Sequence, residues 1–80
     1  MNIERFKGTM ELIKLVQSNL MEIIIYYGYA TVADYYELIG HTSKYTDNKK
    51  GWTSLTETTI VMTDATDIYE LVLPEPLDII

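Results

Sequence analysis

The sequence predicts an α+β fold in which a long amphipathic N-terminal helix and a short capped helix precede a C-terminal β-hairpin. Three observations predict it. Apolar residues recur with helical spacing over residues 2–27, a helix start and stop bracket residues 31–40, and residues 56–73 are rich in β-branched and alternating apolar residues. The chain has 80 residues, no Cys and one His, so we expect one domain that is stabilised by packing rather than by disulfides or zinc.

We divide this single domain, residues 1–80, into a long helix (1–28), a short helix (29–40), a connection (41–55) and a hairpin with its tail (56–80). The stripe of the first helix consists of apolar residues at steps of three or four: Phe6, Met10, Ile13, Val16, Leu20, Ile24 and Tyr27. Asn2 is the expected N-cap. Because Leu12, Met21, Ile23 and Ile25 widen the stripe, this helix must bury more than one face.

Residues 23–27 also have high strand propensity, which leaves an extended alternative open at the end of the first helix. Gly28 then supplies the left-handed position that ends a helix. Thr31 and Asp34 form a capping-box pattern that predicts a second helix over residues 32–39. We expect that helix to bury Val32, either Tyr35 or Tyr36, Leu38 and Ile39, and to stop at Gly40.

The connection is predicted to be irregular over residues 41–53, where turn-forming residues are frequent, and Trp52 is expected to anchor it in the core. Strands are predicted over residues 56–63 and 68–73, joined by a turn at residues 64–67. Pro74 and Pro76 should end the second strand, because proline cannot donate to a β-ladder. The apolar tail, residues 77–80, is expected to dock on the domain.

Charge is divided unevenly along the chain. Residues 1–50 carry six acidic and six basic side chains, so the net charge of -6 resides in residues 51–80. That half contains no Lys or Arg, and its acidic residues are Glu57, Asp64, Asp67, Glu70, Glu75 and Asp78. Two interpretations remain open: a solvated acidic surface that aids solubility, or a negative face that matches a basic partner.

A set of short motifs resembles a known phage module. The residues concerned are the run from Gly28 to Gly40, the Tyr-Thr-Asp-Asn sequence at residues 45–48, the Gly51-Trp52 pair and the segment from Tyr69 to Pro76. Together they resemble a C-terminal module of uncharacterised tailed-bacteriophage proteins, which has a Gly-x-Val-Thr-Val-x-Asp-Leu-Tyr-like helix, a Gly-Trp pair and a terminal hairpin. Ala30, Tyr35 and the Asp-Ala-Thr-Asp turn depart from its commonest residues. The resemblance implies phage origin and no particular activity.

The candidate catalytic and metal-binding residues lack the partners and the spacing that such sites require. His41 has no Ser or Cys nucleophile in a recognisable setting. Asp47, Asn48, Asp64 and Asp67 lack the spacing of a calcium loop and are typical of turns. We therefore expect a protein that is not an enzyme and has neither a metal nor a cofactor.

Tyrosines offer the clearest candidate for partner binding. Five of them surround the junction of the two helices, and a small core cannot enclose all five with their hydroxyls satisfied. The predicted partner-binding residues are Tyr26, Tyr29, Tyr36, Glu57, Asp64, Asp67 and Glu70. The alternative is that the tyrosines merely cover the edge of the core.

Self-association through the first helix is a second possibility. The candidate residues recur at heptad spacing and are Phe6, Ile13, Leu20, Ile24 and Tyr27. The alternative is that this stripe covers the hairpin of its own chain. A third interpretation is a winged helix-turn-helix with Lys44, Lys49 and Lys50 on its recognition segment, although a wing without Lys or Arg argues against direct nucleic-acid binding.

The residue patterns predict a non-enzymatic protein-interaction protein, and the resemblance implies that it is phage-encoded. The first version of this function is an inhibitor that presents an acidic face to a basic host or defence protein. A virion or morphogenesis component that assembles through the long helix is the alternative. The expected location is the host cytoplasm or the virion. We expect no membrane association, because the most apolar stretch, residues 20–27, contains Glu22 and is shorter than the ~20 residues that a bilayer requires.

Overall fold

The computed structural model describes residues 1–79, which form two α-helices, one 3₁₀ helix and six short strands. In chain order these are β1 (Phe6–Gly8), α1 (Met10–Tyr27), β2 (Ala30–Thr31), α2 (Val32–Ile39), the 3₁₀ helix (Tyr45–Asn48), β3 (Lys50–Trp52), β4 (Thr59–Met62), β5 (Tyr69–Val72) and β6 (Leu77–Asp78). The predicted α+β class is confirmed.

The predicted start of the first helix is wrong, because α1 begins at Met10 and not near Asn2. Thr9 is its N-cap, and the Thr9 side chain accepts a hydrogen bond of 3.3 Å from the Leu12 N–H. The preceding residues form β1, in which Phe6 lies opposite Leu71 of β5. Pairing with a strand far along the chain therefore overrides the local helical period at residues 6–8.

The predicted ends of both helices are confirmed. Gly28 has a φ of 87° and donates to the Ile24 carbonyl over 2.7 Å, so residues 23–27 are helical and the extended alternative is wrong. At α2, the Thr31 hydroxyl accepts from the Asp34 N–H at 3.0 Å, and the Asp34 carboxylate accepts from the Thr31 N–H at 2.9 Å. Gly40 ends α2 at a φ of 74°.

The strands form two antiparallel sheets of three strands each, in the orders β1-β5-β4 and β2-β3-β6. The predicted hairpin is confirmed as β4 and β5, with Thr59 opposite Val72. The prediction of an irregular connection is wrong at residues 50–52, because β3 pairs with both β2 and β6. The tail docks through its backbone, since the Ile79 N–H donates to the Lys49 carbonyl at 3.0 Å. Ile80 of the predicted tail lies outside the described residues.

The core lies where α1, α2 and the two sheets meet. It contains Ile13, Val16, Leu20, Ala30, Val32, Tyr35, Tyr36, Trp52, Leu55 and Leu71. Both tyrosines of α2 are buried, where the sequence predicted one of the two, and Leu38 and Ile39 are only half-buried. The predicted anchoring role of Trp52 is confirmed, because its side chain is buried and its Nε1–H donates to the Pro74 carbonyl at 2.7 Å.

Gly51 allows β3 to approach β2 very closely. A Cβ added at this position would collide with the Ala30 carbonyl oxygen and would lie 2.8 Å from the Thr31 Cα. Both neighbours are backbone atoms of the paired strand, so they cannot move aside as a side chain would. The Gly-Trp pair thus combines a close approach of two strands with a buried anchor.

The two tyrosines of α2 hold the N-terminal segment in place. The Tyr35 hydroxyl accepts from the Phe6 N–H at 3.0 Å and donates to the Glu4 carbonyl at 2.7 Å. The Tyr36 hydroxyl accepts from the Glu4 N–H at 3.2 Å. Burial raises the pKa of Tyr35 to about 12, although the hydrogen bond from Phe6 acts in the opposite direction. These bonds fix the segment that leads into β1.

Removal of the Thr31 cap should weaken the start of α2. We expect Thr31→Ala to lower the free energy of unfolding by about 0.5–2 kcal/mol, because the first turn loses an acceptor for its N–H groups. Urea denaturation midpoints would measure the change. Thr42→Ala, at an exposed position, is the matched control and should leave the midpoint unchanged; equal midpoints for all three proteins would contradict the capping role.

Substitution of Gly51 should be far more damaging than substitution of another buried glycine. We expect Gly51→Ala to cost at least about 2 kcal/mol, because the added methyl collides with backbone. Gly8→Ala is the control, since its Cβ would meet only side-chain atoms, the nearest being the Phe6 ring at 3.3 Å. Denaturant titration of both variants tests this, and a similar loss in the two would refute it.

The Tyr35 hydroxyl should make stability depend on alkaline pH. Its folded pKa of about 12 lies above the ordinary value of 10.0, so its contribution is complete below pH ~10 and is lost as the pH rises toward 12. We expect Tyr35→Phe to cost about 1–3 kcal/mol at neutral pH. The difference in free energy of unfolding between wild type and Tyr35→Phe, measured by urea titration, should shrink as the pH rises from ~10 to about 12. A difference that stays constant with pH would show that the hydroxyl does not contribute in this way.

Candidate interaction surfaces

The acidic residues of residues 51–80 do not form one uniform negative face. Glu70 pairs with two cations, Arg5 just before β1 and Lys7 within it. Arg5 Nη1 lies 3.3 Å and Lys7 Nζ 3.8 Å from the Glu70 carboxylate oxygens. Its side chain is half-buried, so the prediction that Glu70 contacts a partner does not agree with its position. The sequence reasoning missed this because it placed Arg5 and Lys7 on a helix.

Two further acids are paired within the chain. The N-terminal amine lies 2.7 Å from the Glu75 carboxylate, and Lys50 Nζ lies 2.7 Å from the Asp78 carboxylate. The hydrogen bond and charge of Lys50 lower the pKa of Asp78 below its usual value. The remaining acids of this half, Glu57, Asp64 and Asp67, are exposed and have no ion-pair partner within residues 1–79.

These three acids flank β4, which is an edge strand. Glu57 lies two residues before β4, and Asp64 lies two residues after it in the turn to β5. Asp67 occupies the left-handed position of that turn, at a φ of 59°. The negative charge that the fold leaves unpaired in this half is therefore at the two ends of one strand.

The predicted tyrosine surface is only partly present. Tyr26 is 76% exposed and Tyr29 is 37% exposed. Tyr36 is 5% exposed and its hydroxyl accepts from the Glu4 N–H, so it lies in the core and not on the predicted surface. Ile25 and Tyr27 are also largely exposed, so consecutive residues at the C-terminal end of α1 expose apolar side chains on several sides of the helix.

The predicted self-association seam is not an exposed stripe. Ile13 and Leu20 are fully buried in the core of their own chain, Phe6 lies in β1, and Ile24 is half-buried. Tyr27 is the exposed member of the set. This arrangement follows the alternative interpretation, in which the stripe covers the rest of its own chain.

A second stripe on α1 lies beside the core-facing one. Leu12 and Ile23 were predicted to widen the first stripe and Tyr26 to contact a partner, but the second stripe was not predicted as a unit. We call it the outer stripe; it consists of Leu12, Leu15, Asn19, Ile23 and Tyr26. At 100° per residue these positions lie within a sector of about 80°. Leu12 is 48% exposed and Leu15 is 55% exposed, while Asn19 and Ile23 are half-buried. The heptad spacing of Leu12, Asn19 and Tyr26 was a signal that could have revealed it.

One further candidate site is a cleft whose charged and polar groups include several that pair within the chain. This cleft, of about 540 Å³, lies between the N-terminal segment and β5. The charged groups that border it include Arg5, Lys7 and Glu70, which pair with one another, and its Tyr35 hydroxyl is bonded to backbone. No group of three or more potential metal-ligating His, Cys, Asp or Glu residues occurs in the part of the chain that the structure describes.

The remaining predicted residues lie around the 3₁₀ helix. His41 Nδ1 is 2.7 Å from the Thr42 carbonyl oxygen, and its Nε2 is 3.7 Å from the Glu4 carboxylate. Lys49 Nζ lies 5.0 Å from the centre of the Tyr45 ring. Lys44 and Lys49 flank the 3₁₀ helix and Lys50 begins β3, so these lysines do not share an α-helix as a recognition segment would require.

Neither α-helix of the described residues has the length and apolar character needed to cross a membrane. Comparison of the chain with protein-family models, with curated proteins and with solved structures finds no match.

Proposed function

We propose that this chain is a non-enzymatic protein-interaction protein that pairs with a second copy of itself through the outer stripe of α1. The observation that carries the proposal is the exposure of Leu12, Leu15 and Tyr26 on a helix whose adjacent face fills the core. A helix that is apolar on two faces requires a second partner element. Within residues 1–79 the first face is covered by the chain itself, whereas Leu12, Leu15 and Tyr26 of the outer stripe are exposed.

The outer stripe is symmetric about Asn19, which favours a second copy as the partner. Leu12 and Tyr26 lie seven residues on either side of Asn19, and Leu15 and Ile23 lie four residues on either side. When two copies of α1 cross antiparallel at Asn19, each Leu12 meets the other copy's Tyr26 and each Leu15 meets the other copy's Ile23. The same patch then serves both subunits, as a two-fold interface requires.

The size of this surface is compatible with a modest dimer. Each Tyr supplies about 150–250 Å² of surface, so the stripes of two copies with the adjoining Tyr27 rings bury on the order of 1,000 Å². That is the lower limit for a specific interface, and the affinity depends on the quality of the contacts rather than on the area. Asn19 at the centre resembles the single polar residue that fixes register in helical pairs, at some cost in affinity.

The net charge of the chain predicts how the dimer should respond to salt. Two copies carry -6 each, and Glu11 and Glu22 flank the outer stripe on its solvent side. Like charges oppose association, while apolar burial favours it and is insensitive to screening. Added salt should therefore strengthen the dimer, whereas it would weaken one that is held by ion pairs.

The resemblance to the phage module supports a bacteriophage setting for this protein, in the host cytoplasm or the virion. A self-pairing surface is what a virion or morphogenesis component needs. The unpaired acids beside β4 favour the other role, in which the protein occupies a basic surface of a host or defence protein. Pairing through α1 is compatible with both roles, since a dimer presents two copies of the hairpin.

Self-association can be tested by sedimentation equilibrium at micromolar concentration. We expect wild type to dimerise and Leu15→Glu to weaken the dimer by about a hundredfold, because it buries a charge in the interface. Ser18→Glu is the matched control: it adds the same charge at an exposed position of α1 outside the outer stripe, and should leave the dimer intact. A wild-type protein that is monomeric at every salt concentration would refute the proposed pairing.

A further inference from the structure

The strand β4 is an open edge without the usual protection. In the order β1-β5-β4 it pairs with β5 alone among the described strands, so alternate residues direct their N–H and C=O groups away from the sheet. Natural edge strands are commonly protected by Lys, Pro or a bulge. Residues 58–63 contain no charge and no Pro. Val61 is exposed and Met62 is 77% exposed, so the edge is accessible.

The acidic residues around this edge favour a partner strand with basic ends. Glu57 lies in the turn before it and Asp64 in the turn after it, each two residues beyond the strand, and Asp67 lies in the same turn as Asp64. Residues 51–80 contain no Lys or Arg, and the other three acids of this half are already paired with cations of the fold. An incoming strand therefore meets negative charge at both of its ends.

A second copy of β4 is disfavoured by the same charges. Antiparallel pairing of two β4 strands places Glu57 of one copy beside Asp64 of the other, at both ends of the pair. Like charges at neighbouring cross-strand positions are destabilising. The occupant that fits is a strand with Lys or Arg at each end and uncharged, β-branched residues between them.

We propose that β4 binds an extended, basic-ended segment of another protein as a fourth strand of the β1-β5-β4 sheet. Main-chain hydrogen bonds along Thr59–Met62 supply the contact that does not depend on sequence, as in other cases of strand addition. Glu57, Asp64 and Asp67 select for Lys and Arg at its ends. This surface is separate from the outer stripe of α1, so the two proposals can fail independently.

The probe is a fluorescent peptide with the sequence Lys-Lys-Thr-Val-Thr-Val-Thr-Lys-Lys, measured by fluorescence anisotropy at low salt. One control peptide keeps the lysines but has a Gly-Ser centre, which tests for attraction by charge alone. A second keeps the centre and has Glu at its ends. We expect only the first peptide to bind, and its affinity to fall as salt approaches about 0.1 M, where charges about 10 Å apart are screened.

The protein variants separate the edge from the overall charge. We expect Glu57→Gln combined with Asp64→Asn to weaken peptide binding roughly tenfold. Glu11→Gln combined with Glu22→Gln removes the same charge from exposed positions of α1 and should leave the affinity unchanged. Leu15→Glu should also bind the peptide, which separates a failure here from a failure of dimerisation.

Amide chemical shifts of the wild-type protein locate the bound peptide without any substitution. We expect the largest changes at Thr59–Met62 and in the flanking turn. The proposal is overturned if the Gly-Ser peptide binds equally well, if both double variants lose the same affinity, or if the shifts lie outside β4. Concentration-dependent broadening of the β4 amides in the peptide-free Leu15→Glu variant would overturn it in favour of a second copy at this edge.

Discussion

The rest of the structure depends on the central position of β5. It lies between β1 and β4, its Leu71 is fully buried in the core, and its Glu70 contacts Arg5 and Lys7. Because residues 6–8 pair with β5, they are extended and cannot begin the helix. The start of α1 at Met10 follows from that pairing, and so does the face of α1 that enters the core.

Pairing of the chain's two ends also explains what the tyrosines do. The N-terminal segment reaches β5 beneath α2, where the hydroxyls of Tyr35 and Tyr36 bind the backbone of Glu4 and Phe6. In a domain without disulfides, these bonds and the two strand pairings of β3 hold segments that are distant in sequence. Tyr26 makes none of these bonds and remains on the surface as part of the outer stripe.

Local signals in the sequence predicted α2 almost completely, because a capping box at Thr31 and a C-terminal Gly40 specify a helix within ten residues. The hairpin was also predicted, since its strands are joined by a short turn. The four short strands β1, β2, β3 and β6 were not, because strands of two or three residues carry no period and form only against distant partners; Arg5 and Glu70, for example, are 65 residues apart. Separation in sequence also decided which residues of the candidate surfaces could be predicted. Tyr26 and the acids beside β4 were predicted from composition, whereas the internal partners of Tyr36 and Glu70 could not be.

In the proposed dimer, the outer stripe of α1 meets a second copy antiparallel at Asn19. The chain contains no Cys, so a single introduced thiol reports on this geometry directly. Under mild oxidation, Asn19→Cys should form a disulfide-linked dimer rapidly, because the two-fold axis places both thiols together, while Lys14→Cys on the solvent side of α1 should remain largely monomeric. Equal and slow cross-linking of the two variants would contradict the account.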